Sequence, residues 1–297
     1  MNTMVEVVPT AAATTTTPTT TTTTEEWSLM RDGDALAVSA LGATITSWTA
    51  RGKEVLFLSV NAKTSGPEPV NGGIPLVFPH FGEWDQGRPL HGFALRSLWT
   101  LVETSACSGA EKPCRLRLKL EDSPESRALW NHPFRLIYSI EMLEDSRLAL
   151  TLQVENTGQA DMAFHQLFHP YFKVNVEQLV ISGLRGAQYI DKTNNFVTET
   201  EQRDVVIDRH TDFVYMTTEE RVQSLVDGEK RIRIEKSANL PDTVVWNPHE
   251  TWSRHGLAEG EQRTFVCVEP GHVAKHVRLG AGQQWTSQLI LSVEDLV

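Results

Sequence analysis

The sequence contains no apolar run approaching the roughly 20 residues that a membrane-spanning helix requires, so no segment reads as a membrane span. It also lacks a surplus of basic charge. Its 27 Lys and Arg stand against 38 Asp and Glu, a formal net charge of −11, and no nucleic-acid partner is expected because phosphate backbones are held by clustered cations. An acidic substrate would need a local basic pocket. Cysteine is scarce: the three residues Cys107, Cys114 and Cys267 are an odd number, with no Cys-x-x-Cys spacing and no zinc pattern. An Asn-x-Ser/Thr sequon and an apolar signal region near the start are missing too. These absences are read together as reduced thiols in an intracellular, cytoplasmic protein with no membrane partner.

Residues 1–24 are dominated by threonine and have few large apolar side chains, too little to offset the entropy of ordering, so they are expected to form a disordered tail. No Arg precedes Arg31, which weakens a transit-peptide reading. Residues 25–297 are expected to form a single domain. From Trp27 onward the dominant period is two, seen most cleanly in Cys114-Arg115-Leu116-Arg117-Leu118-Lys119-Leu120, a half-buried strand. Phe134 to Leu143 and Leu148 to Glu155, separated by Glu144-Asp145-Ser146, read as a hairpin. A second hairpin is signalled where Val222 to Val226 meets Arg231 to Glu235 across Asp227-Gly228, a dipeptide that accepts positive φ. Further strands are expected at Thr243 to Trp246, Thr264 to Val268 and Ser287 to Val293. One short helix is expected, Ser123 to Trp130, with Ser123 as cap and Pro124 where no donor is needed. Many short strands and few helices mean an all-β fold, a large antiparallel β-sandwich or barrel.

Two segments have compositions that packing alone does not explain. The first is Asn71 to Gly82 followed by Pro89 to Trp99, dense in Gly and Pro, which implies rigid irregular loops of the kind that carry ligand sites. The second is Phe164-His165-Gln166-Leu167-Phe168-His169-Pro170-Tyr171-Phe172. A spacing of four puts His165 and His169 on one face of a strand, which would suit a metal pair, but no third ligand follows in a recognisable pattern, and no metal is expected. Trp246 reads equally as a core aromatic and as a wall for sugar stacking.

The series GGIPLVFPHFG, HGFA with Trp99, HPYF, Ser182-Gly183-Leu184 with Tyr189-Ile190-Asp191, Val244-Val245-Trp246-Asn247-Pro248 and Val266-Cys267-Val268-Glu269-Pro270-Gly271 resembles the glucose-6-phosphate 1-epimerase branch of the aldose 1-epimerase superfamily. The resemblance implies a galactose-mutarotase-like β-supersandwich and a cofactor-free enzyme that interconverts hexose anomers. Such chemistry needs one acid and one base, since a proton leaves the C1 hydroxyl while another reaches the ring oxygen. The resemblance assigns the acid to His169 and the base to Glu269, with the nearby carboxylate expected to favour a charged imidazolium. It assigns substrate binding to His91, beside the ring oxygen, and to Asp191, on sugar hydroxyls. Cys267 is expected to be a core thiol turned away from Glu269, on the ground that neighbouring strand side chains face opposite ways.

In that branch the phosphate is held by positions that here are Asn71, Leu90 and Leu95, none of which offers a charge. Asn71 remains a candidate contact by position, and Arg96, adjacent to Leu95, is the candidate replacement; Arg88 is an alternative, and both also read as plain surface charges. The expected ligand is a small sugar or sugar phosphate, bound by a monomer. A mutarotase of unphosphorylated aldoses and a non-catalytic carbohydrate-binding protein are the alternatives.

Overall fold

The computed structural model describes residues 25–83, 87–105, 114–218 and 222–296; the expected tail, residues 1–24, and Cys107 lie outside them. The protein is built from antiparallel strands. One 8-stranded sheet is a meander of long strands. It contains Cys114–Glu121, Phe134–Leu143, Arg147–Asn156 and Gln284–Asp295 side by side, continued by Lys230–Lys236 and Val222–Val226. Phe134–Leu143 is where period two places it, its residues alternating buried and half-buried along all 10 positions. The expected hairpin turn is present, with Asp145 at φ 58° and Ser146 at φ 54°, the pair of positive values that matches the twist of the flanking strands. The single α-helix among the described residues, Pro124–Leu129, starts at Ser123, whose hydroxyl accepts from the Ser126 N–H.

The second 8-stranded sheet holds, in order, Val197–Thr200, Gln188–Asp191, Thr211–Met216, Asp242–Asn247, Phe265–Leu279, Met162–Phe168 and Leu76–Val77, with Tyr171–Lys173 also paired to Phe265–Leu279. The two large sheets pack face to face. Phe168 meets Tyr138 at 6.1 Å between ring centroids, and Phe164 meets Trp285 at 5.5 Å. A four-stranded sheet, Glu26–Arg31, Asp34–Ser39, Ile45–Ala50 and Lys53–Glu54, contributes Trp27, Leu36 and Trp48 to the same apolar cluster. This is the β-sandwich expected from the sequence.

Phe265–Leu279 is 15 residues long, whereas the strand expected from the sequence runs from Thr264 to Val268 only, short of Pro270. Pairing carries the strand through: Pro270 lies opposite Thr243, and Gly271 opposite both Asp242 and Leu167. All residues from Phe265 to Gly271 are buried. Val266 and Val268 enter the sandwich core, while Phe265 and Cys267 belong to a separate cluster on the opposite face. That opposite face is the floor of the site.

Candidate active site

Directly opposed residues of antiparallel strands project to the same face, and the register lines up two rows across the floor. One runs Ile190, Val214, Val244 and Glu269. The next runs Asp212, Trp246, Cys267 and Tyr171. Apart from Cys267, every member of both rows lines a groove of about 1330 Å³. Loops supply the rest of the wall, including Asn71, Phe81, His91, Arg96 and His169. The Gly-rich loops owe their composition to close backbone approach. A Cβ on Gly92 would lie 2.3 Å from the Phe78 carbonyl oxygen, and Gly92 has φ 77°. That contact seats the preceding His91 in the groove.

His169 follows the strand Met162–Phe168, and its N–H donates to the Pro75 carbonyl at 3.0 Å. Its imidazole stacks on Tyr171, with centroids 4.8 Å apart and planes 9° from parallel. Its Nε2 stands 3.6 Å from Oε2 of Glu269. His91 approaches edge-on, 5.6 Å from the His169 ring. Nδ1 of His169 and Oε2 of Glu269 are both buried and have no hydrogen-bond partner among the described residues. Buried polar atoms are ordinarily satisfied, so the pair carries unmet hydrogen-bonding capacity at the groove wall.

Burial dominates the electrostatics. It raises the Glu269 carboxyl well above its ordinary range, with the negative Asp212 adding to the rise and Lys192 opposing it. It lowers His169 to about 3, a direction that Lys192 reinforces. The expectation of a charged imidazolium is therefore corrected: burial favours a neutral imidazole beside a protonated carboxyl, because both charged forms lose hydration. His91 is also held neutral, chiefly by burial and then by His169 and Lys192.

Of the residues singled out from the sequence, His169, Glu269, His91, Asn71 and Arg96 converge on the groove. Asp191 does not. Its neighbours Ile190 and Lys192 line the wall, so alternation turns Asp191 inward, where its carboxylate accepts from Thr193 Oγ1 at 2.6 Å and Arg209 at 3.0 Å. The carboxylate on the groove is Asp212, paired with Lys192 at 2.9 Å. Both escaped the sequence reading, although Asp212 and Val214 on one strand and Trp246 and Val244 on the next form the period-two pattern that marks a shared face. Asn71 Nδ2 donates to the His255 carbonyl at 3.0 Å, and Arg96 Nη1 donates to the Leu90 carbonyl at 2.8 Å, so both brace loops.

Cys267 is likewise corrected. Residues 267 and 269 are two apart, not neighbours, and therefore share a face; the thiol is fully buried beneath the groove floor. Cys114 is disulfide-bonded, which corrects the expectation of reduced thiols at that position, while Cys267 is a free thiol. The His165–His169 pair does not form. His165 instead stacks on His276 at 4.0 Å and 18° between planes.

The family model described as aldose 1-epimerase matches residues 27–292. The chain belongs to the aldose 1-epimerase family. Among its relatives is a protein of Cenchrus ciliaris named "putative glucose-6-phosphate 1-epimerase", 28% identical over 84% of this chain and 79% of that one. A Salmonella typhimurium protein of the same name is 30% identical over 77% of this chain and 76% of its own. The crystal structure of a "putative mutarotase" from Salmonella typhimurium shares the fold, with a TM-score of 0.82 and 24% identity over 92% of this chain and 91% of that one. The fold is thus the galactose-mutarotase-like β-sandwich, and membership of the aldose 1-epimerase family supports a sugar isomerase.

Proposed function

We propose that this family member interconverts the α and β anomers of a hexose 6-phosphate, as a cytoplasmic, cofactor-free glucose-6-phosphate 1-epimerase acting as a monomer. The observation that carries the reading is the 3.6 Å approach of His169 Nε2 to Glu269 Oε2 on the wall of one groove. The ring oxygen and the anomeric hydroxyl are bonded to the same carbon, so an acid and a base serving both must stand close together. The pair does.

One proton shared between the two groups is enough for a full cycle. With His169 protonated and Glu269 ionised, His169 donates to the ring oxygen as Glu269 takes the C1 hydroxyl proton, and the ring opens to the aldehyde. The pair is then a neutral imidazole and a carboxyl, the form that burial favours, so desolvation offsets part of the cost of opening. Rotation about C1–C2 presents the other carbonyl face, and the reverse transfers close the ring with the opposite configuration. The proton count of the protein is unchanged. His91 would hold the ring-oxygen side of the sugar, and Asp212 its hydroxyls.

The names of the two relatives support a phosphorylated substrate, as do the cations Lys63, Arg96 and Arg254 along the groove wall. Leu90 and Leu95, which also line it, favour the second reading, a mutarotase of free aldoses. Anomer-exchange NMR on glucose 6-phosphate and on glucose, with and without protein, separates them. Faster exchange of the phosphate alone is the expected result. Acceleration of free glucose alone would establish the second reading, and no acceleration would leave a carbohydrate-binding protein.

A further inference from the structure

The thiol of Cys267 has no task in anomer exchange, yet it lies within reach of both groups that do. One nitrogen of His169, Sγ of Cys267 and one carboxylate oxygen of Glu269 lie within 4.8 Å of one another. The residues are 8%, 0% and 1% exposed. Oε2 of Glu269 is also a buried polar atom with no hydrogen-bond partner among the described residues. The register explains the cluster: Cys267 lies opposite Trp246 on one side and Tyr171 on the other, and Tyr171 is the residue on which the His169 ring stacks.

We propose that His169, Cys267 and Glu269 form a binding site for a thiophilic divalent cation such as Zn²⁺ or Cd²⁺, and that its occupancy disables the acid–base pair. One imidazole, one thiolate and one carboxylate are the donor types that zinc combines, and three protein ligands leave a fourth position open toward the groove. Zinc–nitrogen and zinc–oxygen bonds of about 2.0 Å place tetrahedral donors about 3.3 Å apart. The observed separation of His169 Nε2 and Glu269 Oε2 is 3.6 Å, so little closure is needed on that edge. Charge balances as well. Cys267 and Glu269 each release a proton to solvent as their bonds to the metal form, and the resulting thiolate and carboxylate neutralise the dication. A neutral unit avoids the cost of an uncompensated ion in a buried wall. Mg²⁺ and Ca²⁺, which demand several oxygen ligands, are not accommodated by this set. Binding follows from the donor cluster alone, whereas loss of activity rests on the function proposed above.

The test uses the full chain, free of any affinity tag and stripped of metal with a chelator. Zn²⁺ binding is measured by competition with a chromogenic chelator, and Cd²⁺ by its ultraviolet thiolate charge-transfer band. One tightly bound equivalent and a thiolate band are expected in the native protein, with a loss of at least about a hundredfold in Zn²⁺ affinity, and of the band, in Cys267→Ser. Cys267→Ala reads the same loss without placing a hydroxyl among Phe57, Leu257 and Phe265, should the serine variant fold poorly. Anomer exchange is expected to fall at least tenfold with one equivalent of Zn²⁺, to be unaffected by Mg²⁺, and to resist Zn²⁺ in the Cys267 variants. Absence of the band, Zn²⁺ affinity unchanged in both Cys267 variants, or full exchange with the site occupied would each overturn the proposal. A second group, His80, His165 and His276, also brings one ring nitrogen each within 4.8 Å of the others, and retention of affinity in the Cys267 variants with loss in His276→Ala would place the ion there and overturn the proposal. Metal binding at Cys267 by a protein that exchanges no sugar anomers would leave the site standing and remove the proposed function.

Discussion

The backbone N–H of Gly82 donates to Nδ1 of His91 at 3.1 Å, which leaves Nε2 as the protonated nitrogen of the neutral ring. His91 therefore offers the groove a donor and no acceptor through that atom. His91→Phe, which keeps a ring and removes the donor, is expected to raise KM by about three- to tenfold, the scale of one neutral hydrogen bond. A steady-state comparison on the preferred sugar checks this, and an unchanged KM would detach His91 from the substrate.

His169→Ala and Glu269→Gln each remove one of the two proton-transfer groups. Each is expected to lower turnover by about two orders of magnitude or more. Full exchange in either variant would remove the mechanism.

Asp212 raises the Glu269 carboxyl and Lys192 lowers it. Asp212→Asn removes a negative neighbour and leaves Lys192 without its partner, so the Glu269 proton is lost more easily. The alkaline limb of the pH profile of kcat/KM should move to lower pH in Asp212→Asn and to higher pH in Lys192→Met. Opposite movements would show that the limb belongs to another group.

Arg96→Ala is expected to weaken glucose 6-phosphate more than glucose, as is Arg254→Ala. Competition experiments with the two sugars measure the difference. Because Arg96 Nη1 also holds the Leu90 and Gly92 carbonyls, equal loss for both sugars would identify it as a brace for the His91 loop, not a phosphate contact.

Burial lowers both His165 and His169 to about 3. An unfolded histidine titrates near 6.5, so between these values the unfolded chain binds more protons and stability falls as pH drops. Each such group contributes a slope of at most about 1.4 kcal/mol per pH unit. Denaturant titrations from pH 7 to pH 4 should show the decline, and His165→Gln should flatten it.

The sandwich was legible because Phe134–Leu143 and its neighbours alternate cleanly, and because turns such as Asp145-Ser146 carry their own signals. His169 and Glu269 were found through motifs, not periodicity. The long strand Phe265–Leu279 was not fully read, since Pro270 and Gly271 look like a break until the partners that hold them are known. Asp191 was assigned by resemblance, and Asp212 was not singled out at all: only the pairing of Asp212 with Trp246 shows which carboxylate faces the groove. Of the cations on the groove wall, Arg96 was named from its place beside Leu95, whereas Lys63 and Arg254 carry no motif and reach the same groove only through the fold.

The floor rows sit on paired strands, whereas Lys63, Asn71, Leu90, Leu95, Arg96 and Arg254 lie in the connections around them or in short 3₁₀ turns. Under the proposed function, the contacts that choose the sugar sit largely apart from the ladders that carry Glu269. Exchanging those connections, while keeping the short segment of His169 and its backbone bond to Pro75, would redirect the protein toward a different sugar without moving the carboxylate, which makes this rim a natural target for specificity engineering.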